Sequence, residues 1–179
     1  MPSDTLYALC AAASDANAVR RVFDVKGREE GRPLPLFVSN LAMAERIGVF
    51  DQRSRRLASR FWPGQLTLVV NKQPGYESEA LAGGETVGLR APGNAIALAV
   101  IEGVVDAVTG TSANLSGGAD PISAGEVARQ IGDRLDLILD AGPAEIGVAS
   151  TIVDCTGTEI RILREGTVSK EAIADALGE

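Results

Sequence analysis

The sequence predicts a single α/β domain over residues 1–179, built on a twisted mixed β-sheet with flanking helices. Three observations predict it. Apolar runs of strand length alternate with amphipathic stretches of helix length. Some gaps between successive strands are long enough for a helical crossover and others only for a hairpin, which mixes parallel and antiparallel neighbours. A chain of 179 residues with 45% hydrophobic content suffices for one well-buried domain and is short for two.

The elements follow in order. Ser14 or Asp15 can cap a helix to about Lys26, with Val19, Val22, Phe23 and Lys26 on one side. A loop from Lys26 to Pro33 comes next. Arg20, Arg21, Lys26, Arg28 and Arg32 outnumber Asp24, Glu29 and Glu30 across this region, a local cationic excess. Leu34 to Ser39 reads as a strand, followed by helices over Leu41–Ile47 and Asp51–Phe61; the second carries Arg53, Arg56 and Arg60 on one face. Trp62-Pro63-Gly64 stops that helix, Leu66 to Val70 is a buried strand, and Gln73 to Gly84 is loop. Thr86 to Pro92 alternates like a strand, so Thr86, Gly88 and Arg90 share a face and suggest a lined pocket. Asn94 caps a helix to about Ile101, and Val104 to Val108 reads as a strand. Ser123-Ala124-Gly125-Glu126 is a capping box for a helix to about Ile131. Leu135–Asp140, Ser150–Cys155 and Glu159–Leu163 read as short strands, and Ser169 caps a final helix.

Composition excludes several chemistries. The chain has no histidine, which removes the commonest general base, the Ser-His and Cys-His nucleophile pairs and the commonest zinc ligand. Its two cysteines, Cys10 and Cys155, lie far apart in apolar surroundings, which predicts buried thiols rather than a disulfide or a zinc site. A net charge of −7 argues against a protein built to coat nucleic acid, although the Arg53, Arg56 and Arg60 stripe leaves a local RNA contact open. No apolar run reaches the roughly 18 residues of a membrane span and no signal-peptide pattern opens the chain, so the expected location is the cytoplasm.

The stretch Gly110-Thr111-Ser112-Ala113-Asn114-Leu115-Ser116-Gly117-Gly118 combines hydroxyls, a carboxamide and glycines. Such a loop suits a phosphate or carboxylate, because glycines let backbone N–H groups turn toward an anion and hydroxyls swivel to meet its oxygens. It lacks the Gly-Lys-Ser/Thr ending of a Walker loop, and a polar turn between strand and helix is the plainer alternative.

Read together, several motifs resemble the YrdC-like family of threonylcarbamoyl-AMP synthases in order and spacing across nearly the whole chain. They are Pro2-Ser3-Asp4-Thr5-Leu6-Tyr7-Ala8-Leu9, Lys26-Gly27-Arg28 with Pro33-Leu34, Phe61-Trp62-Pro63-Gly64-Gln65-Leu66-Thr67, Val87-Gly88-Leu89-Arg90-Ala91-Pro92, Ser112-Ala113-Asn114-Leu115-Ser116-Gly117, Ser150-Thr151-Ile152-Val153-Asp154 and Ile162-Leu163-Arg164-Glu165-Gly166. The resemblance implies a YrdC-like fold with a concave, positively lined cavity. It implies that L-threonine, bicarbonate and ATP combine to L-threonylcarbamoyladenylate and pyrophosphate, with magnesium on the triphosphate and no protein metal site. By position, Thr5, Arg90, Ser150 and the backbone at Gly110 would hold threonine. Arg28, Arg32, Thr86, Ser112, Asn114, Asp120 and Arg164 would hold ATP, with Lys26 and Arg28 carrying the catalytic work from the loop after the first helix. The implied partners are a downstream tRNA threonylcarbamoyl transferase and a weak tRNA or double-stranded RNA contact, and no membrane.

Departures from the pattern are Ala8, Arg32, Phe37 and Gln65, where the family usually has Gly, Asn or Lys, His and Pro. The family's usual first strand and short helix have no counterpart ahead of the first motif here. A paralogue that binds RNA or nucleotide without synthase activity, and an O-carbamoylation module of the hydrogenase-maturation kind, are the rival readings.

Overall fold

The computed structural model describes residues 1–27 and 32–178. In chain order it places β1 (Ala8–Leu9), α1 (Ala16–Lys26), β2 (Leu36–Phe37), α2 (Leu41–Glu45), α3 (Gln52–Phe61), β3 (Leu66–Asn71), β4 (Thr86–Arg90), α4 (Ala95–Val104), β5 (Val108–Thr109), β6 (Thr111–Ser112), α5 (Ala124–Ile131), β7 (Thr151–Asp154), β8 (Arg161–Arg164) and α6 (Lys170–Leu177). Side-chain caps open the helices where the sequence offers them: Asp15 for α1, Asn94 for α4, Ser123 for α5 and Ser169 for α6.

Six strands form one mixed sheet in the order β5–β2–β4–β3–β7–β8. The β2–β4 and β3–β7 pairs are parallel, and the other three neighbouring pairs antiparallel. Its centre is dry because Leu36, Leu66, Leu68, Leu89 and Val153 are fully buried. A second, two-stranded ribbon pairs β1 with β6, matching Ala8 to Ser112 and Leu9 to Thr111. Only Gly110 separates β5 in the large sheet from β6 in the ribbon, so the chain changes sheet within one residue. This step carries the glycine-rich loop from the sheet edge over the sheet's face.

Three sequence expectations change. The strand read over Leu34–Ser39 narrows to Leu36–Phe37, since Pro33 and Pro35 have no N–H to give a ladder. The strand read over Val104–Val108 is split: α4 runs through Val104 and closes on Val105 in the left-handed region at φ 59°, leaving Val108–Thr109 as strand. Leu135–Asp140 is not a strand. Arg21 reaches across to Asp136 and the Arg134 carbonyl, the Tyr7 hydroxyl meets Asp140, and Leu137 stays exposed. An apolar alternation without a free sheet edge beside it forms no ladder.

At the start of α3, the Asp51 carboxylate accepts from the Ser54 N–H at 2.8 Å and pairs with Arg53. Partial burial alone would raise its pKa, but the Ser54 N–H, Arg53 and the Ser54 hydroxyl together hold it below the usual value. A carboxyl depressed in the folded state adds stability above its unfolded value of 3.8, and that stability is lost as pH falls through the lower folded value. Asp51→Ala is therefore expected to cost about 1 kcal/mol at neutral pH, with the gap to the parent narrowing below about pH 4, as read from urea melts.

Candidate functional site

The ribbon, the glycine-rich loop and the cavity-facing side of the large sheet enclose a cavity of about 840 Å³. Alternation along β4 sends Thr86, Gly88 and Arg90 into it, and alternation along β3 adds Thr67 and Val69. Of the residues singled out from the sequence, Thr5, Lys26, Arg32, Thr86, Arg90, Gly110, Ser112, Asn114, Asp120, Ser150 and Arg164 all line this one space. Arg28 lies outside the described residues.

One end is built around Arg90, which is 3% exposed. Its Nε donates to the Gly64 carbonyl at 2.8 Å, Nη1 to Thr5 Oγ1 at 2.9 Å and Nη2 to Asp4 Oδ1 at 2.5 Å. A guanidinium has five N–H donors, so one remains on each terminal nitrogen for a ligand's oxygens. Burial draws Arg90 below the ordinary arginine range, Asp4 opposes this, and the positive charge of Arg164 adds to it. Beneath the guanidinium lies the Phe37 ring, 5.5 Å from centroid to Cζ, next to Arg90 across the parallel β2–β4 pair. Gly110 presses on the same ring, and a Cβ added there would stand 2.4 Å from it. Gly110→Ala is expected to cost about 1–3 kcal/mol in a denaturant melt, because the ring is walled in and the strand change cannot shift.

The other end is organised by Asn114, which is 4% exposed. Its Oδ1 accepts from Ser112 Oγ at 2.8 Å and Lys26 Nζ at 3.0 Å, while its Nδ2 donates to the carbonyls of Gly118 and Ala119. Lys26 Nζ also donates to the Ser112 carbonyl at 2.6 Å and the Asn114 carbonyl at 3.1 Å, and the Lys26 carbonyl accepts from the Ser116 N–H. Lys26 is the last residue of α1, where the sequence predicts the helix to end, and it is buried at 4% exposure rather than standing on the loop that follows. The reason is local. Gly27 closes the helix in the left-handed region, which leaves the preceding ammonium aimed into the loop's carbonyls.

Between the ends, Arg164 donates through Nε and Nη2 to the Ser150 carbonyl and through Nη2 to Ser150 Oγ, which shares a 2.9 Å hydrogen bond with Thr67 Oγ1. Burial lowers the Arg164 pKa and Asp120 opposes the shift. Lys26, Arg32, Arg90 and Arg164 face the cavity against Asp120 as its one lining carboxylate among the described residues. A chain of net charge −7 thus gathers cations where an anion would sit.

Sequence reasoning missed Asp4 and Thr67. Thr67 was readable, because it shares a strand face with Val69 while Leu66, Leu68 and Val70 take the other. Asp4 was not, since its partner is 86 positions away. Of the Arg53, Arg56 and Arg60 stripe, Arg53 donates to the Gly157 and Thr158 carbonyls, while Arg56, which donates to the Leu177 carbonyl, and Arg60, over the Phe61 ring, are exposed and lie outside the cavity lining. Burial pushes the Cys10 thiol up to about 11 and the Cys155 thiol up to about 12, so neither supplies a thiolate near neutrality. Among the described residues, no helix is long and apolar enough to cross a membrane.

Comparison with known proteins places the chain in a family. A Sua5/YciO/YrdC family model, described as telomere recombination, matches residues 1–166. The threonylcarbamoyl-AMP synthases of Pyrococcus abyssi and Bacillus subtilis are 37% and 36% identical over 99% of the chain, which spans about half of their length (53% and 52%). A putative threonylcarbamoyl-AMP synthase of Mycobacterium tuberculosis is 38% identical, with 82% of its length covered. The crystal structure of Pyrococcus abyssi Sua5 complexed with L-threonine superimposes with a TM-score of 0.95 over 99% of this chain and 53% of that one. With sequence, motif order and fold in agreement along its length, the chain belongs to the Sua5/YciO/YrdC family.

Proposed function

We propose that this chain is an L-threonylcarbamoyladenylate synthase. The observation that carries the reading is Arg90, buried, held on three sides and left with one N–H on each terminal nitrogen, in the same cavity as the cationic Ser112–Asn114 end. The relative solved with L-threonine supports an amino acid as one substrate. In this reading the threonine carboxylate takes the Arg90 fork, and its amine points toward Ser150. Bicarbonate loses hydroxide to give carbon dioxide, the neutral amine attacks its carbon, and the proton the amine sheds joins that hydroxide as water, leaving a carbamate. A carbamate oxygen then attacks the α-phosphorus of ATP, and the bond to the β-phosphate oxygen breaks to release pyrophosphate. Alignment and charge neutralisation supply most of the acceleration such a step needs, so a histidine-free site suffices.

Ser112, Arg164 and Arg32 face the triphosphate, with Arg28 following Lys26 and Gly27 in the chain. Magnesium fits as an ion carried by the nucleotide. No cluster of three metal-ligating side chains occurs among the described residues, and Asp120 alone offers a carboxylate to the cavity. Bound to the phosphates, the ion would neutralise charge on the leaving pyrophosphate. The product would pass to a tRNA threonylcarbamoyl transferase in the cytoplasm.

Pyrophosphate release measured with ATP, L-threonine and bicarbonate, and with each omitted in turn, tests the reading. Release is expected only with all three. Release that persists without threonine would overturn it.

A further inference from the structure

We infer that Asp4, which lies outside the cavity lining, is a positioning residue that aims the Arg90 guanidinium at the amino-acid end of the cavity. The inference rests on the proposed synthase reading and deepens it.

Asp4 is 1% exposed and is not among the residues that line the cavity, whereas Arg90 is. Both of its carboxylate oxygens are fixed. Oδ1 accepts from Arg90 Nη2, and Oδ2 accepts from Gln65 Nε2 at 2.9 Å. Gly93 closes the remaining space, since a Cβ there would stand 3.1 Å from Oδ2. The backbone is pinned as well: the Asp4 carbonyl accepts from the Ile146 N–H and the Thr5 carbonyl from the Gly147 N–H. The carboxylate can therefore act as a fixed point against which the guanidinium is held.

The bond pattern shows what that fixed point does. Gly64 holds Nε and Thr5 holds Nη1, but both are neutral acceptors, and Thr5 Oγ1 is itself shared with Ser3 Oγ at 3.1 Å. Asp4 provides the one charged bond, which sets the rotation of the guanidinium about its Cζ and so the direction of the two N–H groups left over. A buried ion pair is weak evidence of a purely stabilising role, because an apolar pair of similar volume generally holds a core as well. Here one member of the pair faces a cavity and the other does not. That asymmetry is what a charged residue orienting a ligand-binding neighbour requires.

The test is steady-state pyrophosphate release by the intact chain and its variants, with threonine and ATP titrated separately. Asp4→Ala is expected to raise the KM for threonine about tenfold or more while the KM for ATP stays within about twofold. Asp4→Asn keeps an oxygen for Arg90 Nη2, and Gln65 can turn its own amide oxygen toward the new Nδ2. This variant keeps the bond but not the charge, so its threonine KM is expected to lie between those of the parent and Asp4→Ala. If Asp4→Ala does not fold, Asp4→Glu replaces it: the longer side chain pushes the guanidinium forward and is expected to raise the threonine KM with ATP unaffected. The inference falls if Asp4→Asn is as impaired as Asp4→Ala or Asp4→Glu. It also falls if both KM values move together, or if melting temperature drops with neither KM changed. A parent chain that releases pyrophosphate without threonine sinks the synthase reading instead, so the two failures are distinct.

Discussion

Lys26→Met is expected to cut synthase turnover severely and to weaken the fold at the same time. The ammonium sits among the Ser112 carbonyl, the Asn114 carbonyl and Asn114 Oδ1, at 2.6–3.1 Å. Removing it leaves buried acceptors facing an apolar side chain, at about 1–3 kcal/mol for an unsatisfied group. The loop then loses the tie that sets Ser112 Oγ and Asn114 against the cavity. A fall in kcat of about a hundredfold or more is expected, with a stability loss of about 2–3 kcal/mol in urea melts. Lys26→Arg is expected to be nearly as damaging, because a flat fork cannot meet three acceptors grouped around one point. Full activity and an unchanged melt in Lys26→Met would show that the loop holds its shape unaided.

Arg90→Lys is expected to separate the two substrates. The lysine keeps the positive charge that Asp4 requires, so the variant avoids the roughly 3–5 kcal/mol that a lone buried carboxylate would cost. It lacks the two parallel N–H groups for a carboxylate. The KM for threonine is expected to rise about tenfold to a hundredfold, with that for ATP changing by less than about threefold. Arg90→Ala is expected to be destabilised as well, since it strands Asp4 at 1% exposure. Kinetics on both variants with each substrate varied alone reads the difference. A larger effect on ATP than on threonine would mean that the two ends of the cavity are assigned in reverse.

Much of the frame was legible because it is local. Asp15, Asn94, Ser123 and Ser169 mark helix starts by chemistry that acts over three residues, and the structure uses each as a cap. Alternation in Thr86-Val87-Gly88-Leu89-Arg90 placed one face toward a pocket, and that face lines the cavity. What was not legible depends on distant partners. Nothing near Asp4 announces Arg90, and nothing near Lys26 announces Ser112 or Asn114. The Leu135–Asp140 run carries a strand's alternation but meets α1 and Tyr7 rather than a sheet edge. Val104 and Val105 are β-branched, yet the carbonyls at the end of α4 draw the Val105 N–H and the helix outlasts the pattern. The motif resemblance gathered residues scattered over the chain into one site, and the fold brings the described ones to one cavity. The hydrogen bonds that Lys26 and Arg90 make there join residues far apart in the chain and have no local signature.

The central claim is that one cavity seats an amino acid at Arg90 and a nucleotide's phosphates at the Ser112–Arg164 side. The most direct measurement is a crystal structure of the chain with L-threonine and a non-hydrolysable ATP analogue bound together. The account expects the threonine carboxylate about 3 Å from Arg90 Nη1 and Nη2, with the phosphates against Ser112 and Arg164. Threonine held away from Arg90, or phosphates occupying the Arg90 fork, would contradict it.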